Sequence, residues 1–91
     1  MKTLIIAQDL QAFRKWTREN LPIKEIDQLR AEYIVMKNGD SYLFVVGYQQ
    51  LIGHRSGTAR VLMLERWYQR QDHMELSAMV KDNFPNDWRD L

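Results

Sequence analysis

The sequence predicts a small α/β protein, with a sheet of three or four strands and two or three helices in a single compact domain over residues 1–91. Two apolar runs predict the sheet: Thr3–Ala7 and Val61–Leu64 have the β-branched, continuous composition of buried strands. A helical pattern follows the first run directly. Strand followed by helix is the unit from which α/β folds are built.

The first helix begins after Asp9, whose side chain is suited to cap the free N–H groups of a first helical turn. The inward positions of this helix recur at helical spacing up to about Asn20: Leu10, Phe13, Trp16 and Thr17. Pro22 favours the first turn of a short second helix. Its apolar residues would then share one face: Ile23, Ile26 and Leu29.

The middle of the chain predicts an antiparallel hairpin. Two strand-like runs, Glu32–Met36 and Ser41–Val46, flank Asn38-Gly39, the dipeptide that best tolerates the positive φ angles of a type I′ turn. The alternative is a helix that begins near Pro22 and ends at Asn38-Gly39 as its C-cap, which would leave only the second run as a strand. We prefer the hairpin.

The last third of the chain predicts a strand and a helix. Residues 48–54 have the length of one helical turn, and the strand then runs from Arg60 to about Trp67. Asp72 with Glu75 resembles a capping box at the start of the last helix. The apolar stripe of that helix is Leu76, Met79, Val80 and Phe84, and Pro85 ends it. The tail, residues 86–91, is polar apart from Trp88.

Composition excludes several kinds of chemistry. The chain has 13 basic and 12 acidic residues, and a net charge of +1 gives no global field for nucleic acid or membrane. It has no cysteine, so disulfides, thiolate catalysis and cysteine-based metal sites are excluded. No run approaches the roughly 20 apolar residues that span a membrane, and Met1–Ala7 is too short for a signal sequence. We therefore expect a cytoplasmic protein without membrane contact.

No catalytic or cofactor motif stands out. The turn at Gln8-Asp9 has no glycine and no lysine, so a phosphate could not approach its backbone closely. His54 and His73, the only histidines, lie on separate elements, and no serine has a nucleophile-elbow motif. Glu65 ends the most apolar strand but has no partner acid, base or metal ligand near it in sequence. We expect no enzyme activity, no cofactor and no metal.

The residues best suited to bind a partner lie in the Arg-rich stretch 55–70 and in the tail. Arginines supply phosphate donors and aromatic rings supply stacking planes, which would suit nucleic acid. Strand alternation divides those arginines between two faces, so that a protein partner is the better expectation. A tryptophan in a polar tail is a suitable anchor for one. The candidate binding residues are Arg55, Arg66, Trp67, Arg70 and Trp88.

One segment resembles a known family. The pattern Leu51-x-Gly-x-Arg55, followed by an apolar strand that ends in an acid, resembles the segment before the Walker B strand of helicase and phage terminase ATPases. The order of elements is also similar to very short Rossmann-like proteins encoded by bacteriophages. Leu64-Glu65 stands where those ATPases have Asp-Glu, and there is no Walker A motif. The resemblance therefore implies a Rossmann-like core without nucleotide chemistry.

These observations lead to two expected functions. The first is a non-catalytic binding protein, a phage or mobile-element accessory or inhibitor that acts on a larger enzyme. The alternative is an accessory protein that binds nucleic acid through the Arg-rich stretch 55–70.

Overall fold

A computed structural model of the protein describes residues 1–54 and 57–91. Within these ranges the regular elements follow one another in this order: β1 (Lys2–Ile6), α1 (Leu10–Asn20), β2 (Ile26–Leu29), β3 (Tyr33–Met36), β4 (Ser41–Phe44), β5 (Ala59–Met63), α2 (His73–Asn83) and β6 (Trp88–Asp90). Short 3₁₀ turns lie at Ile23–Glu25, Tyr48–Leu51 and Trp67–Gln69.

The strands form one sheet in the order β2-β3-β4-β1-β5-β6. The four strands from β4 to β6 run parallel, and β3 and β2 continue the sheet antiparallel beyond β4. The α/β class and the two helices agree with the sequence. The predicted strand number is wrong, because the described chain has six strands instead of three or four.

Helix α1 covers one face of the sheet. Its N-terminus is capped as expected, since the Asp9 carboxylate accepts a hydrogen bond from the backbone N–H of Ala12 at 2.8 Å. Phe13 is fully buried and its ring lies 5.5 Å from that of Phe44 on β4. These side chains belong to one core cluster between α1 and the sheet, with Ile5, Ala7, Ile34, Met36, Leu62 and Leu64.

Helix α2 covers the opposite face. Leu76 and Val80 are completely buried against the odd-numbered residues of β5 and the even-numbered residues of β1. The predicted capping box is wrong: the side chain of Asp72 makes no cap hydrogen bond to the helix, because it is bound to Arg70 instead. Phe84, expected on the helical stripe, is buried just after the last helical residue.

The hairpin between β3 and β4 is confirmed, and residues 33–36 form a strand instead of the end of a helix. Its turn differs in type from the prediction. Met36 pairs with Asp40 across a three-residue loop, and only Gly39 has a positive φ, of 94°. A three-residue hairpin loop usually consists of a type I turn followed by one residue in the left-handed region, here Gly39. Asn38 therefore does not need the positive φ of a type I′ turn.

Two predicted elements are corrected at their boundaries. The segment after Pro22 is a 3₁₀ turn followed by β2, because Ile26–Leu29 pairs with β3 instead of forming a helical face. The strand expected from Arg60 to Trp67 ends at Met63, and Arg66 then turns the chain with a left-handed φ of 66°. The predicted alternation of faces beyond Leu64 is therefore wrong. In the described part of the chain, neither helix has the length and hydropathy needed to cross a membrane.

Candidate functional site

The carboxyl ends of β1 and β4 lie side by side, next to Ala7 and Val45, and a crevice opens between them. The topological switch point of the sheet is the neighbouring position, between β1 and β5, because the chain leaves β1 toward β4 on one side and leaves β5 toward β6 on the other. Ligands of α/β sheets commonly bind outside the carboxyl ends of the strands in this region.

Arg70 fills this crevice with its own guanidinium group. Its Nη1 donates hydrogen bonds to the carbonyl oxygens of Ala7 (3.2 Å) and Val45 (2.6 Å). Its Nη2 donates to the carbonyl oxygen of Val46 at 2.7 Å and to Asp72 Oδ2 at 3.1 Å, and its Nε donates to Asp72 Oδ1 at 2.9 Å. All five N–H donors of the guanidinium are satisfied.

Asp72 holds this arrangement in place from the start of α2. The side chain of Arg70 is only 9% exposed and that of Asp72 32% exposed, so the bidentate pair is shielded from water on the arginine side. The guanidinium also lies over the ring of Phe44, 5.8 Å from its centroid. A shallow depression of about 510 Å³ remains outside it, next to Gln8 and Val46. A ligand between the carboxyl ends of β1 and β4 would have to displace Arg70.

The lateral edge of the sheet formed by β6 is open. The backbone N–H of Val61 bonds the carbonyl of Asp87, and the N–H of Leu91 bonds the carbonyl of Met63, both at 2.9 Å. Since both peptide groups of one residue in a parallel strand point to the same side, Arg89 is the residue of β6 that faces β5. The peptide groups of Trp88 and Asp90 therefore point away from β5, and within residues 1–54 and 57–91 no further strand lies beyond β6 to pair with them.

Trp88 lies beside Trp67 on the face of the sheet that α2 covers. The two rings line a small cleft of about 140 Å³ with Met63, Val80 and Lys81. Trp67 is half-buried and packs against the core, whereas Trp88 is 38% exposed. A rigid ring that is half anchored and half solvated is the usual form of an aromatic anchor at a protein interface.

Strands β5 and β6, with the turn that follows β5, form what we call the β5–β6 flank. Its opposite face, on the side of α1, carries a second groove. Its volume is about 610 Å³, and it lies between α1 and the end of β5. Trp16 and Lys15 line it from the helix, and Glu65 and Arg66 line it from the turn that follows β5. The groove combines apolar and charged groups, and both signs of charge are present.

The predicted binding residues therefore separate into two groups. Arg66, Trp67 and Trp88 lie on the β5–β6 flank, although Arg66 is on the α1 side and the two tryptophans are on the α2 side. Arg70 is not a surface residue but a structural one at the carboxyl ends of β1 and β4. Arg55 lies outside the described residues. Asp72, the partner of Arg70, was not among the predicted site residues, although its spacing of two residues from Arg70 could have suggested the pair. Strand β6 was not predicted either.

Two ionisable groups of the described residues, Asp40 and His54, have shifted pKa values. The pKa of Asp40 lies below its ordinary value because its carboxylate accepts a hydrogen bond from the N-terminal ammonium group at 3.0 Å. Burial lowers the pKa of His54, and the charge of Lys2 lowers it further. Across the described ranges, no three histidine or acidic side chains lie together in a way that could hold a metal ion.

Comparison with known proteins adds no relative from which a site could be transferred. No family model, no curated protein and no solved structure matches this chain.

Proposed function

We propose that this protein is a non-catalytic binding domain whose partner is another protein, bound at the β5–β6 flank. The observation that carries the proposal is the open edge of β6, where outward-facing peptide groups lie next to the half-exposed ring of Trp88. An added strand satisfies such peptide groups, and an aromatic ring beside them supplies apolar contact area. In keeping with the resemblance of the sequence to short phage proteins, the partner we propose is a larger enzyme that the domain assists or inhibits.

The alternative function, nucleic-acid binding through the stretch 55–70, receives less support from the geometry. The guanidinium of Arg70 has no free donor for a phosphate. Arg60 directs its Nε to the hydroxyl of Thr3 at 2.9 Å, and Arg66 lies on the turn after β5 beside Glu65. Among the described residues of this stretch, only Arg60 and Arg66 thus have donors left for a phosphate, fewer than the continuous basic groove that tracks a nucleic-acid backbone uses.

Site-specific photo-crosslinking tests the proposed surface. A photoreactive residue is placed at Asp90, on the open edge, and in a second variant at Met74, which is 72% exposed on α2. In extracts of the cells that naturally make this protein, we expect the variant with the photoreactive residue at position 90 to form a protein adduct. The variant with that residue at position 74 should form none. Trp88→Ala in the position-90 variant should remove the adduct, and the exposed-site control Tyr68→Ala should not.

Two outcomes contradict the proposal. One is an adduct that forms equally from both positions or survives Trp88→Ala. The other is salt-sensitive retention on DNA or RNA at near-physiological ionic strength that Arg66→Glu abolishes, because each phosphate contact releases counterions and makes binding steeply dependent on salt.

A further inference from the structure

The two faces of β6 carry different chemistry. Trp88 and Asp90 line the cleft on the α2 side. Arg89 pairs in register with Leu62, whose side chain belongs to the core cluster beneath α1. Since opposite residues of neighbouring strands point to the same face, the exposed Arg89 projects on the α1 side. A strand added to β6 would therefore meet an aromatic ring on one face and a guanidinium on the other.

The α1 side of this flank carries positive charge. Arg60 of β5 and Arg89 of β6 are both exposed, and in the described part of the chain neither makes an ion pair with a carboxylate. The nearby carboxylate of Asp87 accepts a hydrogen bond from the backbone N–H of Gly57 at 2.9 Å. Cross-strand pairs of opposite charge stabilise a sheet, so the chemistry that complements Arg89 is acidic.

A second copy of this chain does not supply that chemistry. In an antiparallel pair of two β6 strands, the outward peptide groups all pair when Trp88 of each copy faces Asp90 of the other. That register places Arg89 directly opposite its own symmetry mate, and like charges in that position are destabilising. The other free edge, β2, is interrupted by an irregularity between Ile26 and Gln28, so it lacks the regular row of groups that β6 would need.

We propose that the β6 edge binds an extended segment in which apolar and acidic residues alternate. An apolar side chain of that segment packs on Trp88, the next residue places its carboxylate beside Arg89, and the backbone pairs with the peptide groups of Trp88 and Asp90. The apolar and acidic residues alternate because successive side chains of a strand point to opposite faces of the sheet. The same alternating pattern is expected whether the bound segment runs parallel or antiparallel to β6. This inference rests on the proposed function and specifies the partner of the same surface.

A pair of peptides tests the pattern with the full chain. One is a capped octapeptide of alternating valine and glutamate, and the other replaces every glutamate with lysine. Binding is followed by the amide chemical shifts of the ¹⁵N-labelled protein during titration. We expect the glutamate peptide to shift the amides of Trp88 and Asp90 and to bind at least roughly tenfold more tightly than the lysine peptide, a difference of about 1.4 kcal/mol.

Charge reversal at the strand supplies the decisive control. Arg89→Glu, at an exposed side chain that makes no ion pair among the described residues, should reverse the preference so that the lysine peptide binds more tightly. Arg30→Glu is the matched control, since Arg30 is an exposed arginine next to β2 at the opposite edge of the sheet. It should leave the preference unchanged.

Several results would overturn the proposed pattern: equal binding of both peptides, no reversal in Arg89→Glu, or a dimer of this chain that Trp88→Ala dissolves. The result also separates the two proposals. If crosslinking at position 90 depends on Trp88 but the glutamate peptide does not bind, the acidic pattern is wrong and the binding surface stands. If crosslinking does not depend on Trp88, the proposed function itself fails.

Discussion

The carboxyl ends of β1 and β4 and the edge of β6 are both places where strands offer backbone groups outside the sheet ladder, and the protein treats them in opposite ways. At the ends of β1 and β4 the carbonyls of Ala7, Val45 and Val46 are bound by Arg70 from within the chain. At the β6 edge the peptide groups of Trp88 and Asp90 point away from β5, and no further described strand pairs with them. The fold places such groups at the ends and edges of strands, but the side chains decide which of them remain available.

The two regions also differ in the role of their arginine, which stabilises the fold in one region and is available to bind a partner in the other. Arg70 is 9% exposed with five hydrogen bonds, so it contributes to folding and has no donor left for a partner. Arg89 is exposed without an ion pair among the described residues, so it contributes little to folding and is free to bind. Two arginines of one chain thus have opposite roles, which their positions in the sequence do not reveal.

The largest effect on stability is expected when Arg70, which closes the crevice at the ends of β1 and β4, is replaced. Arg70→Met leaves three carbonyls and the carboxylate of Asp72 without their donor, and should lower the free energy of unfolding by on the order of 3 kcal/mol. Arg70→Lys should fall between Arg70→Met and the wild type, because an ammonium group has three donors instead of five. Denaturant unfolding measures both. An Arg70→Met loss no larger than that of the exposed-site control Arg18→Met, within about 0.5 kcal/mol, would show that Arg70 does not hold the crevice.

A smaller effect is expected at the turn that connects the two regions. Arg66 has a φ of 66° and a ψ of 14°, a left-handed conformation that costs a non-glycine residue about 1 kcal/mol. Arg66→Gly should therefore raise the free energy of unfolding by about 0.5–1 kcal/mol relative to Arg66→Ala. Comparing the glycine and alanine variants removes the contribution of the side chain. Equal stability of the two variants would argue against strain at this turn.

The smallest effect concerns pH and lies outside both regions. The pKa of His54 is lowered in the folded protein by burial and by Lys2, from an ordinary value of 6.5. As pH falls through 6.5 the unfolded chain takes up a proton more readily than the folded one, so stability should decline. Thermal unfolding between about pH 7.5 and 5.5 should show a decline that is smaller in His54→Gln. An identical pH dependence in both proteins would contradict the assignment.

The sequence predicts those elements whose signals are local. The carboxylate of Asp9 caps α1 because the cap depends only on the next three residues, and Asn38-Gly39 marks a hairpin because turn conformation is local. The apolar runs of β1 and β5 predict buried strands because continuous hydrophobicity reports burial on both faces.

The missed features depend on distant pairing. Strand β6 contains one apolar residue, Trp88, and is a strand only because Val61–Met63 lies beside it. Asp72 has the spacing of a capping box with Glu75, but its carboxylate accepts two charge-assisted hydrogen bonds from Arg70 instead of capping the helix. The candidate site was therefore predicted in part: the sequence identified Trp67 and Trp88 as candidates, but not the edge strand that brings them together.

Hydrogen exchange in the unliganded protein tests the contrast most directly, since NMR resolves the backbone amides and the arginine Nε–H in one sample. The closed crevice at the ends of β1 and β4 predicts slow exchange of the Arg70 Nε–H, which donates to Asp72. The open edge predicts fast exchange at the amides of Trp88 and Asp90, with slower exchange at Leu91, whose N–H is bonded to β5. Protection of Trp88 and Asp90 as strong as that of Leu91, together with an Arg70 Nε–H as fast as that of an exposed arginine, would contradict the account.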